Sequence, residues 1–193
     1  MAVLPIYVAP HPVLKKIAEP VKEVTAAIRK LMDDMLDTMY AAPGIGLAAP
    51  QVGQSLRILI LDIDQPKISD EEADADPSKR RGKPQFFVNP EITWESEELN
   101  VYDEGCLSLP GQFAEVERPL RIKVKFLDYD GKPQEIEADG LLATCLQHEM
   151  DHLNGILFVD HLSTLKRDIV MRKLRKWTKE FQEEEGFAET YVL

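Results

Sequence analysis

The first clear pattern of apolar and polar positions runs from Thr25 to Tyr40, where apolar side chains recur at helical spacing. The apolar positions of this stripe are Ile28, Leu31, Met32, Met35, Leu36 and Met39. We interpret the methionine-rich stripe as core packing, because methionine fills irregular apolar space. Pro43 and Gly44 predict the end of this helix.

The middle of the chain predicts strands, because short apolar or β-branched runs alternate there with turn residues. The strand-like segments are 57–63, 86–90, 92–96 and 122–138, the last being a hairpin that turns near Asp130 and Gly131. Segment 64–84 has few apolar residues and is rich in charge and proline. It therefore predicts an exposed, charged insertion loop between two strands.

The C-terminal third predicts two helices. The first spans Gly140 to Leu153 and ends at Asn154 and Gly155, and the second is an amphipathic helix over 164–185. The proline-rich N-terminal stretch predicts an extended arm. We expect one catalytic domain over 1–193, of the α+β class. Its mainly antiparallel sheet would surround the first of these helices, with an N-terminal and a C-terminal amphipathic helix.

Composition narrows the class of protein. The 193 residues, 44% of them apolar, suit one domain with its own core. A net charge of −11 argues against a general nucleic-acid or membrane-surface binder, so we expect no membrane partner and no specific DNA. Neither a signal peptide nor a membrane-spanning run is evident, and two cysteines favour reduced thiols. We therefore expect a cytoplasmic or organellar enzyme.

The segment QHEMDH, from Gln147 to His152, places two of the four histidines four residues apart on a predicted helix. Such residues lie about 6 Å apart along the axis and nearly on one face. His148 and His152 can therefore bind one metal ion while Glu149 stays free beside them. A helix with two hydrogen-bonded histidines is the alternative. The apolar surroundings favour the metal site, since buried histidines need partners.

The third metal ligand has to come from elsewhere. Cys145 fails because it lies about 10 Å from His152 along the helix axis. The pattern HExxHxxGxxH needs a third histidine where Phe158 stands. Asp168, on the following helix, remains one candidate.

We prefer Cys106, in the segment DEGCLSLP, as the third ligand. Gly105 lets the backbone turn sharply beside it, and a bound cation would keep the thiolate deprotonated. The predicted ligand set is Cys106, His148 and His152, with one position left for water.

Three segments together resemble the signature motifs of the peptide deformylase family. They are GIGLAAPQ (44–51), EGCLS (104–108) and QHEMDH (147–152), in the family's order and spacing. The resemblance implies a metal-dependent hydrolase that removes the formyl group from the N-terminal formyl-methionine of nascent bacterial and organellar proteins. It favours Fe²⁺ as the ion, although Zn²⁺ or Ni²⁺ would also suit this ligand set.

The resemblance also implies roles for individual residues. Glu149 would accept a proton from water and later pass one to the departing amine. The side-chain amide of Gln51 and the backbone N–H of Leu107 would stabilise the oxyanion. Ile45 and Gly46 would pair with the substrate main chain as an added strand. The other residues expected at the substrate are Gly105, Leu141, Thr144 and Cys145.

Polar residues around the motifs predict supporting contacts. Glu104 and Gln147 are expected to hydrogen-bond the metal ligands from behind. Asp151 faces away from the histidine pair, so we expect it to form a structural salt bridge with Arg118 or Arg121.

The segment LKRDIVMRKLRKWTK in the C-terminal helix carries seven basic residues and one acid. For an enzyme that acts on nascent chains, this cluster suggests docking on ribosomal RNA. A solvated amphipathic face is the alternative.

Two other protein classes remain open. A metallopeptidase would use the same HExxH motif with a different third ligand and would cleave unformylated peptides. A structural zinc domain would close its site with four protein ligands, Cys106, Cys145, His148 and His152.

Overall fold

An antiparallel sheet of five strands lies at the centre of the molecule, in a computed structural model that describes residues 2–185 and 190–191. The strands are β1 (Ile6–Tyr7), β2 (Gly46–Ala48), β3 (Ile58–Leu61), β4 (Gln85–Glu95), β5 (Leu99–Cys106), β6 (Leu109–Pro119), β7 (Arg121–Leu127), β8 (Pro133–Asp139) and β9 (Thr190–Tyr191). The helices are α1 (Ala26–Ala41), α2 (Asp70–Ala75), α3 (Gly140–Leu153) and α4 (Thr164–Glu185). The central sheet has the order β2-β3-β4-β7-β8, while β5 pairs with β6 and β1 pairs with β9. The predicted α+β class with a mainly antiparallel sheet is confirmed.

Strand β3 shows why the apolar run at 57–63 forms a buried strand. All four of its side chains are at most 1% exposed. Ile58 and Ile60 pack into one apolar cluster, whereas Leu59 and Leu61 pack into the other. Because successive side chains point to opposite faces of a strand, the run is apolar throughout instead of alternating. Helices α1 and α3 both pack against this strand.

Helix α1 confirms the prediction made from the apolar stripe. The Thr25 hydroxyl accepts a hydrogen bond from the backbone N–H of Ile28, which caps the start of the helix. Met32, Met35 and Met39 are fully buried, as core packing requires.

The two strands predicted at 86–90 and 92–96 are in fact one strand, β4, with a bulge. Asn89 adopts a left-handed φ of 51°, and the pairing with β7 shifts register between Val88 and Glu91. The Asn89 side chain bonds both the N–H and the carbonyl of Val21, at 2.8 Å each, which holds the bulge in place. The hairpin predicted at 122–138 is confirmed as β7 and β8.

Segment 64–84, predicted as a loop, contains the short helix α2. A capping box between Ser69 and Glu72 begins this helix, and its alanine and glutamate residues favour helical structure. The segment is tied back to the core by Asp62, whose carboxylate accepts hydrogen bonds from the backbone N–H groups of Gly82 and Lys83.

Helix α3 spans the residues predicted for it and packs against β2, β3 and β8 of the central sheet. It also contacts β6, so it lies beside both the sheet and the β5–β6 hairpin. Within the described residues, no helix combines the length and the apolar character needed to cross a membrane.

Candidate metal centre and active site

Three side chains from two separate elements meet at the end of β5. Cys106 is the last residue of that strand, and His148 and His152 lie on α3. Their ligand atoms all lie within 4.8 Å of one another, and Cys106 Sγ is 3.2 Å from His152 Nε2. One thiol and two imidazoles are a donor set suited to zinc, iron or nickel, so these residues fit the implied metal. Burial lowers the pKa of His152, which favours the neutral imidazole that metal binding needs.

The other ligands considered from the sequence do not join this group. Cys145 is outside it, and burial raises the pKa of the Cys145 thiol to about 12, which keeps it protonated. Asp168 is exposed on α4 and also lies outside the group found among the described residues. With three protein ligands in place of four, the arrangement matches a site with an open position rather than a closed structural one.

Glu104 orients the first histidine ligand, as predicted. Its carboxylate Oε2 lies 2.8 Å from His148 Nδ1. Burial raises the pKa of Glu104, but hydrogen bonds from His148 and Arg118 outweigh burial and lower this pKa to about 2. Because the ionised carboxylate only accepts, Nδ1 carries the proton and Nε2 of His148 is left for a metal.

The contacts continue outward from Glu104 through a buried arginine. Arg118 donates to both carboxylate oxygens of Glu104, at 2.5 and 3.0 Å, and to Asp151 Oδ2 at 2.8 Å. Asp151 also lies 2.7 Å from Nε2 of His161. Of the two arginines predicted to pair with Asp151, Arg118 is therefore the partner and Arg121 is not. The result is a chain of ion pairs and hydrogen-bond contacts from the surface to a metal ligand.

The prediction for Gln147 is wrong. Its side-chain amide donates to the carbonyls of Pro119 and Ala143, at 3.0 and 2.9 Å. It therefore links α3 to the end of β6 instead of supporting the metal ligands.

Glu149 is buried next to the ligand histidines. Its Oε2 has no hydrogen-bond partner among the described residues. Burial raises the pKa of Glu149 to about 7, which suits a group that both takes up and releases protons. A Cβ atom at Gly46 would lie 2.5 Å from Glu149 Oε1, so glycine is what allows β2 to approach this carboxyl group.

The side chain of Gln51 lies next to the sulfur of Cys106. Its side-chain oxygen accepts from the Ala48 N–H at 2.8 Å. Its Nε2 is 3.2 Å from Ser108 Oγ and 3.6 Å from Cys106 Sγ. Ser108 was not predicted as a site residue, although it belongs to the EGCLS motif.

A cavity of about 570 Å³ opens beside Cys106, His148 and Glu149. The substrate residues predicted from the sequence all line it, namely Ile45, Gly46, Gly105, Leu141, Thr144 and Cys145. Leu107, predicted as an oxyanion donor, lines it too. His152 and Gln51 are not part of its lining. A larger cavity of about 810 Å³ is lined by residues such as Gln147 and His161 and contains none of the ligand residues. We therefore take the 570 Å³ cavity as the candidate active site.

Sequence reasoning missed three aromatic residues of this cavity, Tyr102 on β5 and two on α4. Trp177 and Phe181 of α4 also line it. A signal was present, because both continue the apolar stripe of that helix.

Strand β2 forms one edge of the central sheet and borders the same cavity. It is hydrogen-bonded to β3 and lies at the end of the strand order. Ile45 is 41% exposed, and it lines the cavity together with Gly46. An edge strand at a pocket can accept an extended peptide as a further strand.

The chain is similar to known proteins along most of its length. The family model "Polypeptide deformylase" matches residues 3–168. A peptide deformylase of Mesorhizobium japonicum is 52% identical over 180 residues, which is 93% of this chain and 96% of that protein. A peptide deformylase from Legionella pneumophila, known from a crystal structure, is 44% identical with a TM-score of 0.82. The match covers 95% of this chain and 99% of the Legionella chain.

A peptide deformylase from Ehrlichia chaffeensis, solved in complex with actinonin, is also 44% identical, with a TM-score of 0.80 over 91% of this chain and 98% of its own. These similarities agree with the Cys-His-His group and the buried glutamate described above. The chain therefore belongs to the polypeptide deformylase family and is a metal-dependent hydrolase that removes the formyl group from nascent proteins.

Proposed function

We propose that this chain deformylates its substrate at the pocket beside α3, with Cys106, His148 and His152 holding the ion and Glu149 transferring protons. The observation that carries this proposal is the place of Glu149. It is a buried carboxyl whose Oε2 has no hydrogen-bond partner among the described residues, next to a group of atoms that can hold a metal.

The proposed metal is Fe²⁺, which the resemblance to the family favours, whereas the donor set itself suits Zn²⁺ and Ni²⁺ as well. When bound, such an ion supplies a Lewis acid that polarises the formyl carbonyl and lowers the pKa of water. Metal analysis of protein purified without oxygen, compared with protein purified in air, tests the identity of the ion. Loss of iron and of activity in air is the expected result, and zinc as the sole metal in both samples would contradict it.

The proton transfer falls to Glu149. Water adds to the formyl carbon and gives up a proton to the carboxylate. The C–N bond then breaks, and the carboxyl group returns the proton to the leaving nitrogen, so formic acid and a free amine result. Formic acid loses its proton to solvent at neutral pH and leaves as formate. A pKa of about 7 lets one group perform both steps near neutral pH.

The oxyanion that forms at the formyl carbon would be stabilised by Gln51 and Leu107. The Gln51 amide carries two hydrogens, and the contact with Ser108 occupies one. The other is directed toward Cys106 Sγ, which is 3.6 Å from Nε2, and therefore toward the metal end of the site, where it would donate to the oxyanion. The backbone N–H of Leu107 would be the second donor. Removing one such donor typically costs about 2.7–4 kcal/mol of transition-state stabilisation.

The substrate main chain would pair with Ile45 and Gly46 at the edge of β2. Main-chain hydrogen bonds carry no sequence information, which suits an enzyme that acts on many nascent chains. The methionine side chain would pack between the apolar parts of the pocket wall. The proposed wall residues are Gly105, Leu141, Thr144 and Cys145.

Formate release from formyl-Met-Ala tests the proposal. Glu149→Gln keeps the shape of the side chain but removes its proton transfer, so we expect turnover to fall at least about 100-fold at equal metal content. The metal content of both proteins is the control. Full turnover by the variant would contradict the role of Glu149. Cleavage of unformylated peptides by the wild type would favour the metallopeptidase alternative.

The C-terminal helix supports a second proposal, docking on ribosomal RNA. Arg172, Lys173, Arg175 and Lys176 are all exposed on α4. Contacts with phosphates weaken steeply as salt rises. Reversing the charges of Arg172, Arg175 and Lys176 should abolish co-sedimentation with ribosomes at low salt.

A matched control keeps the change in net charge but moves it to another surface. Arg121, Lys125 and Lys132 are exposed on β7 or in the turn that follows it, and reversing all three leaves α4 unchanged. Equal binding by the α4 variant and the wild type would reject docking through this helix.

The proposed location is the bacterial cytoplasm, because the relatives named above come from bacteria. The continuous family match over residues 3–168 supports our proposal that the chain acts as one catalytic domain.

A further inference from the structure

One wall of the active-site pocket comes from the C-terminal helix and has no part in the proposed chemistry. Trp177 and Phe181 line the same cavity as Cys106 and Glu149. The two aromatic rings are stacked, with centroids 4.9 Å apart and planes inclined by 14°. Rings in this arrangement pack face to face, so the pair forms one apolar block whose uncovered face and edges are suited to contact with an apolar or aromatic group.

The sequence of α4 shows why these two rings reach the pocket. Val170, Leu174, Trp177 and Phe181 are spaced by four, three and four residues, which places them on one helix face. Val170 and Leu174 are 8% and 0% exposed, whereas Trp177 and Phe181 are only partly buried. The apolar stripe of α4 thus runs out of the core and along the pocket.

The pocket extends beyond what the first residue of the substrate would contact. Residues 42–46, which lead into β2, all line the cavity, as do the two aromatic residues of α4. An extended peptide advances about 3.3 Å per residue, so the third and fourth residues lie roughly 7–10 Å beyond the first. The occupant of a surface continuous with the substrate strand is the downstream part of the same peptide.

We infer that Trp177 and Phe181 form a distal subsite that binds an apolar or aromatic side chain at the third or fourth residue of the formylated peptide. The inference rests on the proposed function of this pocket. Both residues determine specificity and do not act on the reacting atoms. Their effect therefore falls on KM and depends on the length and composition of the peptide.

The test compares kcat/KM for four peptides: formyl-Met-Ala, formyl-Met-Ala-Ala-Ala, and two tetrapeptides with Phe at the third or the fourth position. In the wild type, we expect one Phe peptide to exceed the all-alanine tetrapeptide by about fivefold, mainly through KM. In the double variant Trp177→Ala and Phe181→Ala, this ratio should fall to about one. The kcat/KM for formyl-Met-Ala should stay within about twofold of the wild type.

Matched variants distinguish a role of the two rings in substrate recognition from a role in the stability of α4. Leu165→Ala removes an apolar side chain that is 72% exposed on α4 and does not line the pocket, so it should keep the wild-type ratio. Trp177→Phe keeps an aromatic face and should keep most of the preference. If the double variant does not fold, Phe181→Leu removes the ring with little loss of apolar volume and is measured in its place.

Three outcomes would overturn the inference: no Phe preference in the wild type, a preference that survives loss of the rings, or an equal loss on all four peptides. Failure of the wild type to release formate from formyl-Met-Ala would instead contradict the proposed function. The two failures are therefore distinguishable.

Discussion

Replacing Arg118 by methionine should destabilise the protein strongly. The Arg118 side chain is 5% exposed and bridges Glu104, which is 4% exposed, and Asp151. Methionine keeps much of the apolar length of arginine but removes the charge and every donor. Two buried or half-buried carboxylates would then lose their cationic partner.

The size of the effect can be reached in two ways. Removing one member of a buried ion pair typically costs about 3–5 kcal/mol. Independently, the pKa of Glu104 falls from its ordinary 4.5 to about 2 in the fold. This difference corresponds to about 3 kcal/mol of stabilisation, to which Arg118 and His148 both contribute. We therefore expect the free energy of unfolding to fall by about 3 kcal/mol, a large part of the roughly 5–15 kcal/mol typical of domains.

The pH dependence has a definite sign. Because the folded pKa of Glu104 lies below its unfolded value, the carboxylate stabilises the fold fully above about pH 4.5. This contribution is lost as the pH falls from about 4.5 toward 2. The difference in stability between wild type and Arg118→Met should therefore be constant from pH 7 to about 5.5 and shrink below about 4.5.

Urea unfolding of the metal-free proteins measures this difference without a contribution from the ion. Arg121→Met is the matched control, since Arg121 is 48% exposed and pairs with Glu98 at 3.8 Å. Its loss should cost less than about 1 kcal/mol. Equal destabilisation by the two variants, or a cost below about 1 kcal/mol for Arg118→Met, would refute the reasoning.

Three further predictions concern other parts of the fold. Tyr40→Phe removes a hydrogen bond to the buried carboxylate of Asp62 and should lower the free energy of unfolding by about 1.5–3 kcal/mol in urea; an unchanged midpoint would contradict this. Gly46→Ala would place a methyl group 2.5 Å from Glu149 Oε1, so formate release should fall at least tenfold at unchanged metal content, and full activity would count against the geometry. Removing the metal with a chelator should lower the melting temperature, and added Zn²⁺ should restore it. The reason is that a ligand of the folded state, present at about 1,000 times its Kd, adds about 4 kcal/mol to the free energy of unfolding. Identical melting curves with and without chelator would contradict a bound ion.

Patterns within a few residues were enough to predict much of the fold. The apolar spacing from Thr25 to Tyr40 predicts α1, and the run at 57–63 predicts β3, because helix and strand periods depend on near neighbours. The bulge in β4 was not predictable in the same way. It depends on the left-handed backbone conformation of Asn89. Hydrogen bonds with Val21, which is distant in sequence, stabilise this conformation.

The β5–β6 hairpin was missed for a different reason. Its apolar residues Leu99 and Val101 are about half exposed, whereas the charged Glu104 and Arg118 are buried. At these four positions the burial pattern is therefore the reverse of what apolar alternation indicates, although Val116 on β6 is buried. The charged residues are buried because they satisfy each other and the His148 ligand, a relation that only packing creates.

The metal site was also predictable only in part. The sequence by itself determined that His148 and His152 share a helix face with Glu149 between them, and helix geometry alone excluded Cys145. Only the tertiary structure decided that the sulfur of Cys106, 46 residues before His152, lies 3.2 Å from its imidazole. It also decided that Trp177 and Phe181 border the pocket. Local periodicity determines which face a residue occupies, whereas which faces meet depends on how the sheet, hairpin and helices bury their apolar surfaces together.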